Sequence, residues 1–224
     1  MIWLIFYMGI HYKSEQIKSL DRFYRANLIN SIIGIKQANL IATISSQNTT
    51  NLAIFSSGIH LGSNPALIGI FSRPRTEYPK QTMENILLNK QFTINHVNAD
   101  ILKRSHATSY KFDEFISEFS ECNLNERYIE NFDAPFVNEA EISIGLEYLN
   151  DYKIVENGVV MIVGEVQHIL IKDSDHIQEN GEINFQSSQS VGVSGNNTYY
   201  KLKNHRTLEH VTSSKKFDPD KLLD

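Results

Sequence analysis

The chain has 224 residues, of which 41% are hydrophobic and 21% are charged. This composition is typical of a globular protein and excludes a disordered or collagen-like chain. A chain of this length can bury enough surface to fold without disulfides. Its single cysteine, Cys122, excludes an intrachain disulfide and a cysteine-based zinc site. Cysteine usage of this kind fits a reducing compartment, so we expect a cytoplasmic protein.

The net charge of −5 is unevenly distributed along the chain. Residues 1–110 contain 11 Lys and Arg against 5 Asp and Glu, whereas residues 111–224 contain 10 against 21. The acidic total argues against a nucleic-acid partner, because neutralising phosphates requires a basic face. The basic first half can still bind one small anion.

The first ten residues, MIWLIFYMGI, are strongly apolar. They are too few for a membrane-spanning helix, which needs about 20 residues, and they lack the charged start and cleavage site of a signal peptide. We therefore expect no membrane association and treat residues 1–13 as an N-terminal extension of uncertain role. Met8 offers a second possible start, so we expect the domain to fold without residues 1–7.

The first predicted elements are a helix and a hairpin. Residues 14–31 carry apolar side chains at helical spacing, with Ser14 as the N-cap. Residues 38–45 and 51–57 have the pattern of two strands joined by a polar turn, which is typical of a hairpin. A third strand is predicted over 66–72, after a turn at Asn64-Pro65.

A proline-bracketed loop and a helix follow this strand. Pro74 and Pro79 stiffen the loop at 73–79, and a helix is predicted to run from Thr82, as its N-cap, to Asn89. The later predicted elements are strands at 92–97, 141–149 and 159–171, helices at 100–109 and 113–122, and a bulge or close approach at Gly164.

Six or more strands with irregularly inserted helices favour an antiparallel β-barrel over a doubly wound sheet. We expect one domain over residues 14–210 and a flexible tail over 211–224. The sequence contains no dinucleotide-binding GxGxxG, no P-loop and no HExxH motif. His60, His96 and His106 are the histidines that could in principle converge on a metal, but scattered histidines are more often structural, so we predict no metal site. We predict no nucleophile either, because acidic residues before Cys122 disfavour its thiolate.

The stretch with the most chemical character is residues 38–110. Small hydroxyl and amide residues cluster between its apolar strands, and Arg73, Arg75 and Lys80 precede the helix at Thr82. Cationic side chains, a hydroxyl and the free N–H groups of a helix start are suited to binding a phosphate. Taken alone, the same pattern also fits a simple helix cap beside solvated basic residues.

Short motifs in a fixed order carry a resemblance. They read NLAIFSS (51–57), LGSNP (61–65), SRP (72–74), TMENI (82–86), FTINH (92–96), SHATS (105–109), DEF (113–115), APF (134–136) and VGEV (163–166). This ordered set, spanning roughly residues 20–200, resembles the flavin reductase-like family of FMN-binding split-barrel proteins. One departure is Asn64-Pro65-Ala66, where the family often has two prolines.

The resemblance implies a mainly β protein: an antiparallel split β-barrel of the FMN-binding type with peripheral helices. It also implies a homodimer that binds FMN near the subunit interface. Family members typically pass electrons from NADH or NADPH to a flavin, often for a partner oxygenase or another acceptor. No side chain is assigned a catalytic role, because hydride transfer requires mainly orientation over the flavin.

By matching positions, the resemblance also implies the cofactor-binding residues. Residues assigned to the flavin ring are Asn51, Ala53, Phe55, Ser56 and Ser57. Residues assigned to the phosphate are Arg73, Lys80 and Thr82, with Asn85 one turn further on, while His106 and Ser109 would close the site, from this subunit or the other.

We therefore predict an NAD(P)H-dependent FMN oxidoreductase of the flavin reductase type. One alternative is a non-enzymatic FMN electron carrier, for which the acidic second half offers a docking surface. Another is a β-barrel that binds a different small ligand without flavin.

Overall fold

The computed structural model describes residues 9–74, 81–204 and 206–207. The apolar segment 1–8, the loop residues Arg75 and Lys80, and the predicted tail at 211–224 lie outside these ranges. The helices are α1 (Ser14–Ser19), α2 (Arg22–Ile32), α3 (Gln81–Asn89), α4 (Leu102–Ala107) and α5 (Glu118–Glu121). The strands are β1 (Lys36–Gln37), β2 (Asn39–Ile44), β3 (Thr50–Phe55), β4 (Ile59–Ser63), β5 (Ala66–Ser72), β6 (Gln91–His96), β7 (Glu126–Ile129), β8 (Phe132–Val137), β9 (Ile142–Lys153), β10 (Val160–Ile171), β11 (Val191–Ser194) and β12 (Thr198–Lys201).

Seven of these strands form one antiparallel sheet in the order β3-β2-β6-β9-β10-β5-β4. A second sheet has the order β1-β11-β12, and β7 pairs with β8. β3 and β4 are the edge strands of the large sheet, so each has one side without a neighbouring strand. The predicted mainly β, antiparallel architecture with peripheral helices is confirmed.

The predicted hairpin is β2 and β3, and its register places Thr43 opposite Asn51 and Asn39 opposite Phe55. Side chains alternate between the two faces of these strands. On one face, Leu40 and Leu52 pack into a core beneath α4 and α5. On the other face, Ile41 packs into a second core enclosed by the large sheet and α3. The hairpin therefore anchors both cores while its β3 edge stays open.

Gly164 lies in β10 at a register shift, as the sequence predicts. A Cβ atom at this position would lie 2.7 Å from Cζ of Phe92 on β6. The bulge and the close approach are both confirmed. Glycine is required here because the Phe92 ring occupies the space of a side chain.

Two helix predictions need correction. The helix predicted over 14–31 is two helices, because Oδ1 of Asp21 accepts the N–H groups of Phe23 and Tyr24 and caps α2. Ser14 is the first residue of α1 rather than its N-cap, which is Lys13. The predicted helix at 113–122 is wrong over its first half, and only Glu118–Glu121 is helical.

Helix α2 exposes a large apolar surface. Like α1, it contains no buried residue, and Phe23, Ile32 and the following Ile33 are 73%, 70% and 71% exposed. A helix with so much exposed apolar surface is typical of a protein–protein contact. Within the described ranges, no helix combines the length and apolarity needed to cross a membrane.

Candidate functional site

The open edge of β3 is the first component of the candidate site. The backbone N–H of Leu52 points away from β2 and donates to Oε2 of Glu118 at 2.9 Å. Because outward N–H groups alternate along an antiparallel edge strand, the N–H of Ile54 lies on the same open edge. The predicted residues Ala53 and Ser56 are half-buried there. The Ile54 N–H is therefore a candidate donor to a planar ligand at this edge, whereas the Leu52 N–H is already bonded to Glu118.

The start of α3 is the second component. Nδ2 of Asn51 donates to Oγ1 of Thr82 at 3.2 Å, and Nδ2 of Asn85 donates to Oγ1 of Thr43 at 3.1 Å. Asn51 and Asn85 are both buried. These two bonds fix the first turns of α3 against the β2–β3 hairpin, so three of the predicted site residues lie together.

The role predicted for Thr82 as the N-cap is wrong, since α3 begins at Gln81. Its hydroxyl accepts a hydrogen bond from Asn51, and a hydroxyl that accepts one hydrogen bond can still donate its own proton to a ligand. Asn85 is directed toward Thr43, and its contribution is to position the helix.

A polar groove of about 260 Å³ opens beside these contacts, between the hairpin turn, α3 and the segment before α5. Its lining includes Ser45, Thr50, Asn51, Gln81, Asn85 and Phe115. The lining combines these hydroxyl and amide groups with the carboxylates of Glu84 and Glu114 and the apolar side chains of Leu88 and Ile116. The groove can therefore accept a polar chain that continues from the β3 edge.

Ser57 and Phe55 are placed differently from the rest of the predicted ring contacts. Oγ of Ser57 donates to the carbonyl of Phe71 and accepts its N–H, both at 3.1 Å. The Phe55 side chain packs against the second core. The Ser57 hydroxyl and the Phe55 ring are thus occupied within the protein, and a ligand at the edge would meet their backbone.

Arg73 is exposed directly after β5. Lys80, which precedes α3 in the sequence, lies outside the described residues. His106 and Ser109 form a separate group, since Nδ1 of His106 lies 2.8 Å from the Tyr199 hydroxyl and Ser109 donates to the His106 carbonyl. In the described part of the chain, the hydrogen bonds of these two residues do not reach β3 or α3.

Glu118 is a residue that sequence reasoning missed. It is buried, at 6% exposure, and burial raises the pKa of its carboxyl group, although hydrogen bonds from the backbone N–H groups of Leu52 and Glu118 itself oppose this shift. The acidic, amphipathic pattern around Glu118 predicts a solvent-exposed helix face. It does not indicate that the Glu118 carboxylate accepts a hydrogen bond from an edge strand.

Glu118→Gln is expected to gain stability relative to the native protein as pH rises. A raised carboxyl pKa means that the fold disfavours the ionised form, so the cost is absent at low pH and grows as pH rises above the ordinary glutamate value of 4.5. Glutamine keeps an oxygen to accept the Leu52 N–H. Urea unfolding at about pH 4 and about pH 8 measures the difference.

The exposed neighbour Glu121 provides the matched control, because Glu121→Gln should show no comparable pH-dependent gain. The prediction would be contradicted if the free energy of unfolding changed equally in the native protein and in Glu118→Gln between the two pH values.

The described histidines and the cysteine were the remaining candidates for a metal site or a nucleophile. Across residues 9–74, 81–204 and 206–207, no group of three His, Cys, Asp or Glu side chains is placed to hold a metal ion. Cys122 is buried, and burial, then Glu118 and Glu121, raise the pKa of its thiol. The prediction that its thiolate is disfavoured is confirmed.

Comparisons with known proteins identify the fold and the family. A family model for the flavin reductase like domain matches residues 35–188. A solved structure assigned as a flavin reductase with a split barrel domain, from Shewanella frigidimarina NCIMB 400, is 37% identical with a TM-score of 0.86, covering 91% of this chain and 100% of that one.

Two further structures share the fold at lower identity. Nitrilotriacetate monooxygenase component B from Bacillus cereus is 17% identical with a TM-score of 0.78, covering 89% of this chain and 98% of that one. The FMN-binding protein from Thermus thermophilus is 12% identical with a TM-score of 0.67, covering 80% and 93%. The fold is thus the predicted split barrel, and the match over residues 35–188 shows that the chain belongs to the flavin reductase-like family.

Proposed function

We propose that this protein is an NAD(P)H-dependent flavin reductase that binds FMN along the open edge of β3, with the FMN phosphate at the start of α3. The observation that carries this proposal is the pair of contacts that join Asn51 to Thr82 and Asn85 to Thr43. They place a backbone edge, a hydroxyl and a helix N-terminus side by side within the region that matches the family.

The chemistry of these groups fits FMN. The ring of FMN carries carbonyl oxygens, and the outward N–H group of Ile54 on β3 is a donor for such an atom. The phosphate suits the N-terminus of α3, where the helix dipole and the Thr82 hydroxyl favour an anion, and the sequence supplies the cations Arg73 and Lys80 before this helix.

Bound FMN would supply the redox chemistry, by accepting a hydride from NAD(P)H and passing electrons to an acceptor. The protein's own contribution is to orient the ring and to stabilise negative charge on it with fixed backbone donors. No side chain needs to transfer a proton. This agrees with the absence of any assigned catalytic residue in the sequence prediction.

We propose a partner oxygenase as the electron acceptor, with another flavin or protein acceptor as the alternative. Support comes from the related Bacillus cereus protein, which is described as component B of a monooxygenase. We also propose a cytoplasmic location, because the single cysteine, Cys122, fits a reducing compartment.

A homodimer is the proposed assembly. The exposed apolar face of α2 supports it, because Phe23, Ile32 and Ile33 are left largely in contact with water in one chain. His106 and Ser109 also fit this assembly, since they would contribute to the site of the other subunit. Sedimentation of the FMN-loaded protein tests the proposal, and a monomer with FMN bound would overturn it.

The visible spectrum of the purified protein tests the function. We expect a flavin spectrum after addition of FMN, and rapid bleaching when NADH or NADPH is added without oxygen. A flavin spectrum that persists with both donors would favour the electron carrier. Failure to bind FMN would favour a barrel for another small ligand and overturn the proposal.

A further inference from the structure

Three buried polar atoms on neighbouring residues have no hydrogen-bond partner in the described part of the chain. They are Oε1 of Gln37, Oδ1 of Asn39 and Nδ1 of His96. Asn39 on β2 lies directly opposite His96 on β6, and Gln37 comes two residues earlier, in β1. We refer to these three residues as the amide cluster.

The orientation of the two amides in the amide cluster is fixed by the backbone. Nε2 of Gln37 donates to the carbonyl of Ala38 at 2.9 Å, and Nδ2 of Asn39 donates to the carbonyl of Gln37 at 3.3 Å. Rotating either amide would set its oxygen against a carbonyl oxygen. The unpaired atoms are therefore acceptors, and they require N–H donors.

His96 complements these acceptors. Burial lowers the pKa of its imidazole to about 4, so the ring is neutral near pH 7 and carries a single N–H. The cluster as a whole thus presents two acceptors and one group that can donate. Leaving such atoms buried and unpaired costs free energy.

Phe185 covers His96, with ring centroids 6.0 Å apart and planes inclined by 23°. Its side chain is still 37% exposed, and a phenyl ring cannot replace the hydrogen bonds that it shields from water. The segment that carries Phe185 is fastened on either side, where His176 contacts Glu141 at 3.2 Å and Ser187 at 3.1 Å. We therefore expect that a ligand can displace the Phe185 ring from His96 while the segment that carries Phe185 stays in place.

The amide cluster lies beside the end of β3, where the proposed flavin ring would sit, with Asn39 on the adjacent strand β2 and His96 on the next strand, β6. Asn39 is directly opposite Phe55, and a Cβ atom at Gly58 would lie 3.2 Å from Nδ2 of Asn39. A second ring that stacks on a ligand at the β3 edge would therefore come close to the cluster.

A primary carboxamide matches the cluster, because it offers two N–H donors and one carbonyl acceptor. The pyrimidine edge of a flavin matches it less well, since its single N–H is flanked by two carbonyl oxygens that would face Gln37 and Asn39. We propose that Gln37, Asn39 and His96 form the subsite for the carboxamide of the nicotinamide donor, which enters by displacing Phe185. This inference rests on the proposed flavin reductase function.

Calorimetric titration of the FMN-loaded protein with oxidised dinucleotides tests the subsite without turnover. NAD⁺ and NADP⁺ are each compared with the 3-acetylpyridine analogue, which lacks the carboxamide N–H groups. We expect native protein to bind the carboxamide form about tenfold more tightly, the order expected for a lost hydrogen bond to a buried acceptor. We expect Gln37→Leu to bring the ratio close to one.

His96→Gln, which keeps a polar group, is a second variant and should lower the same ratio. Phe185→Ala should bind both dinucleotides more tightly, because the cover is removed. Gln178→Leu, an exposed substitution, is the matched control and should keep the native ratio.

Several results would overturn the subsite. One is equal affinity of native protein for the carboxamide and acetyl forms, and another is no binding of either dinucleotide. A loss of FMN affinity in Gln37→Leu with the ratio unchanged would assign the cluster to the flavin instead. If the native protein prefers the carboxamide form but NAD(P)H does not bleach bound FMN, the subsite is supported and the proposed reductase activity is wrong.

Discussion

Gly164→Ala is expected to lower the free energy of unfolding by about 3 kcal/mol, at the upper end of the usual cost of overpacking a core. The new methyl group would lie 2.7 Å from Cζ of Phe92 and 3.1 Å from Cβ of Leu146. Both residues are fully buried, so neither can move away without disturbing the second core. Urea unfolding of the native and variant proteins measures the effect.

The matched control for Gly164→Ala is Gly69→Ala on the adjacent strand β5. Gly69 is paired with Val163, and its new methyl group would meet the ends of the Ile59 and Leu61 side chains at 3.2 Å. Because these side chains are 40% and 39% exposed, they can give way, and a change within about 1 kcal/mol is expected. Equal losses in the two variants would show that the Phe92 contact is not the cause.

The double substitution Arg73→Ala with Thr82→Ala is expected to weaken FMN binding by about 3–6 kcal/mol, which is roughly a factor of 10² to 10⁴ in Kd. Each residue would lose a charge-assisted hydrogen bond to the phosphate, worth about 1.5–3 kcal/mol. The Thr82 hydroxyl accepts a hydrogen bond from Asn51, and it can donate its own proton to an anion. Quenching of FMN fluorescence on titration measures Kd.

The control for the phosphate site combines Thr82→Ser with Arg127→Ala. Serine keeps the hydroxyl and its contact with Asn51, and Arg127 is an exposed arginine on β7. This protein should bind FMN with nearly native affinity. An unchanged Kd for FMN in the double variant Arg73→Ala with Thr82→Ala would show that the phosphate does not bind at the start of α3.

The strands that sequence patterns predict well are those with a clear apolar periodicity. β5 begins and ends at the predicted residues, and β2, β3, β6 and β10 differ from prediction by one or two residues at either end. β4 was not predicted, because nearly every residue in it is exposed, and an exposed edge strand carries no alternation of buried and exposed side chains. The helix over 113–122 failed where Asp113 forms a local turn, its side chain accepting the Phe115 N–H.

For the candidate site, the sequence predicted what local motifs carry and missed what depends on contacts between distant residues. The motif order correctly indicated the family, and the structure brings Asn51, Thr82 and Asn85 together. The sequence did not reveal that Glu118 fills the β3 edge or that the Ser57 hydroxyl is already bonded. Both facts depend on contacts between residues far apart in the chain, which no local pattern encodes.

The Ser57 hydroxyl has a wider consequence for the barrel. Its two hydrogen bonds to the backbone of Phe71 tie the end of β3 to β5, which lies near the opposite edge of the large sheet. In the described sheet, β3 and β5 are not paired with each other. At this point the Ser57 side chain joins the two sides of the barrel instead. These two hydrogen bonds can break without disrupting the pairing of either strand with its neighbours. Hydrogen–deuterium exchange of the Phe71 amide would therefore measure local opening of the barrel, beside the edge where the flavin would lie.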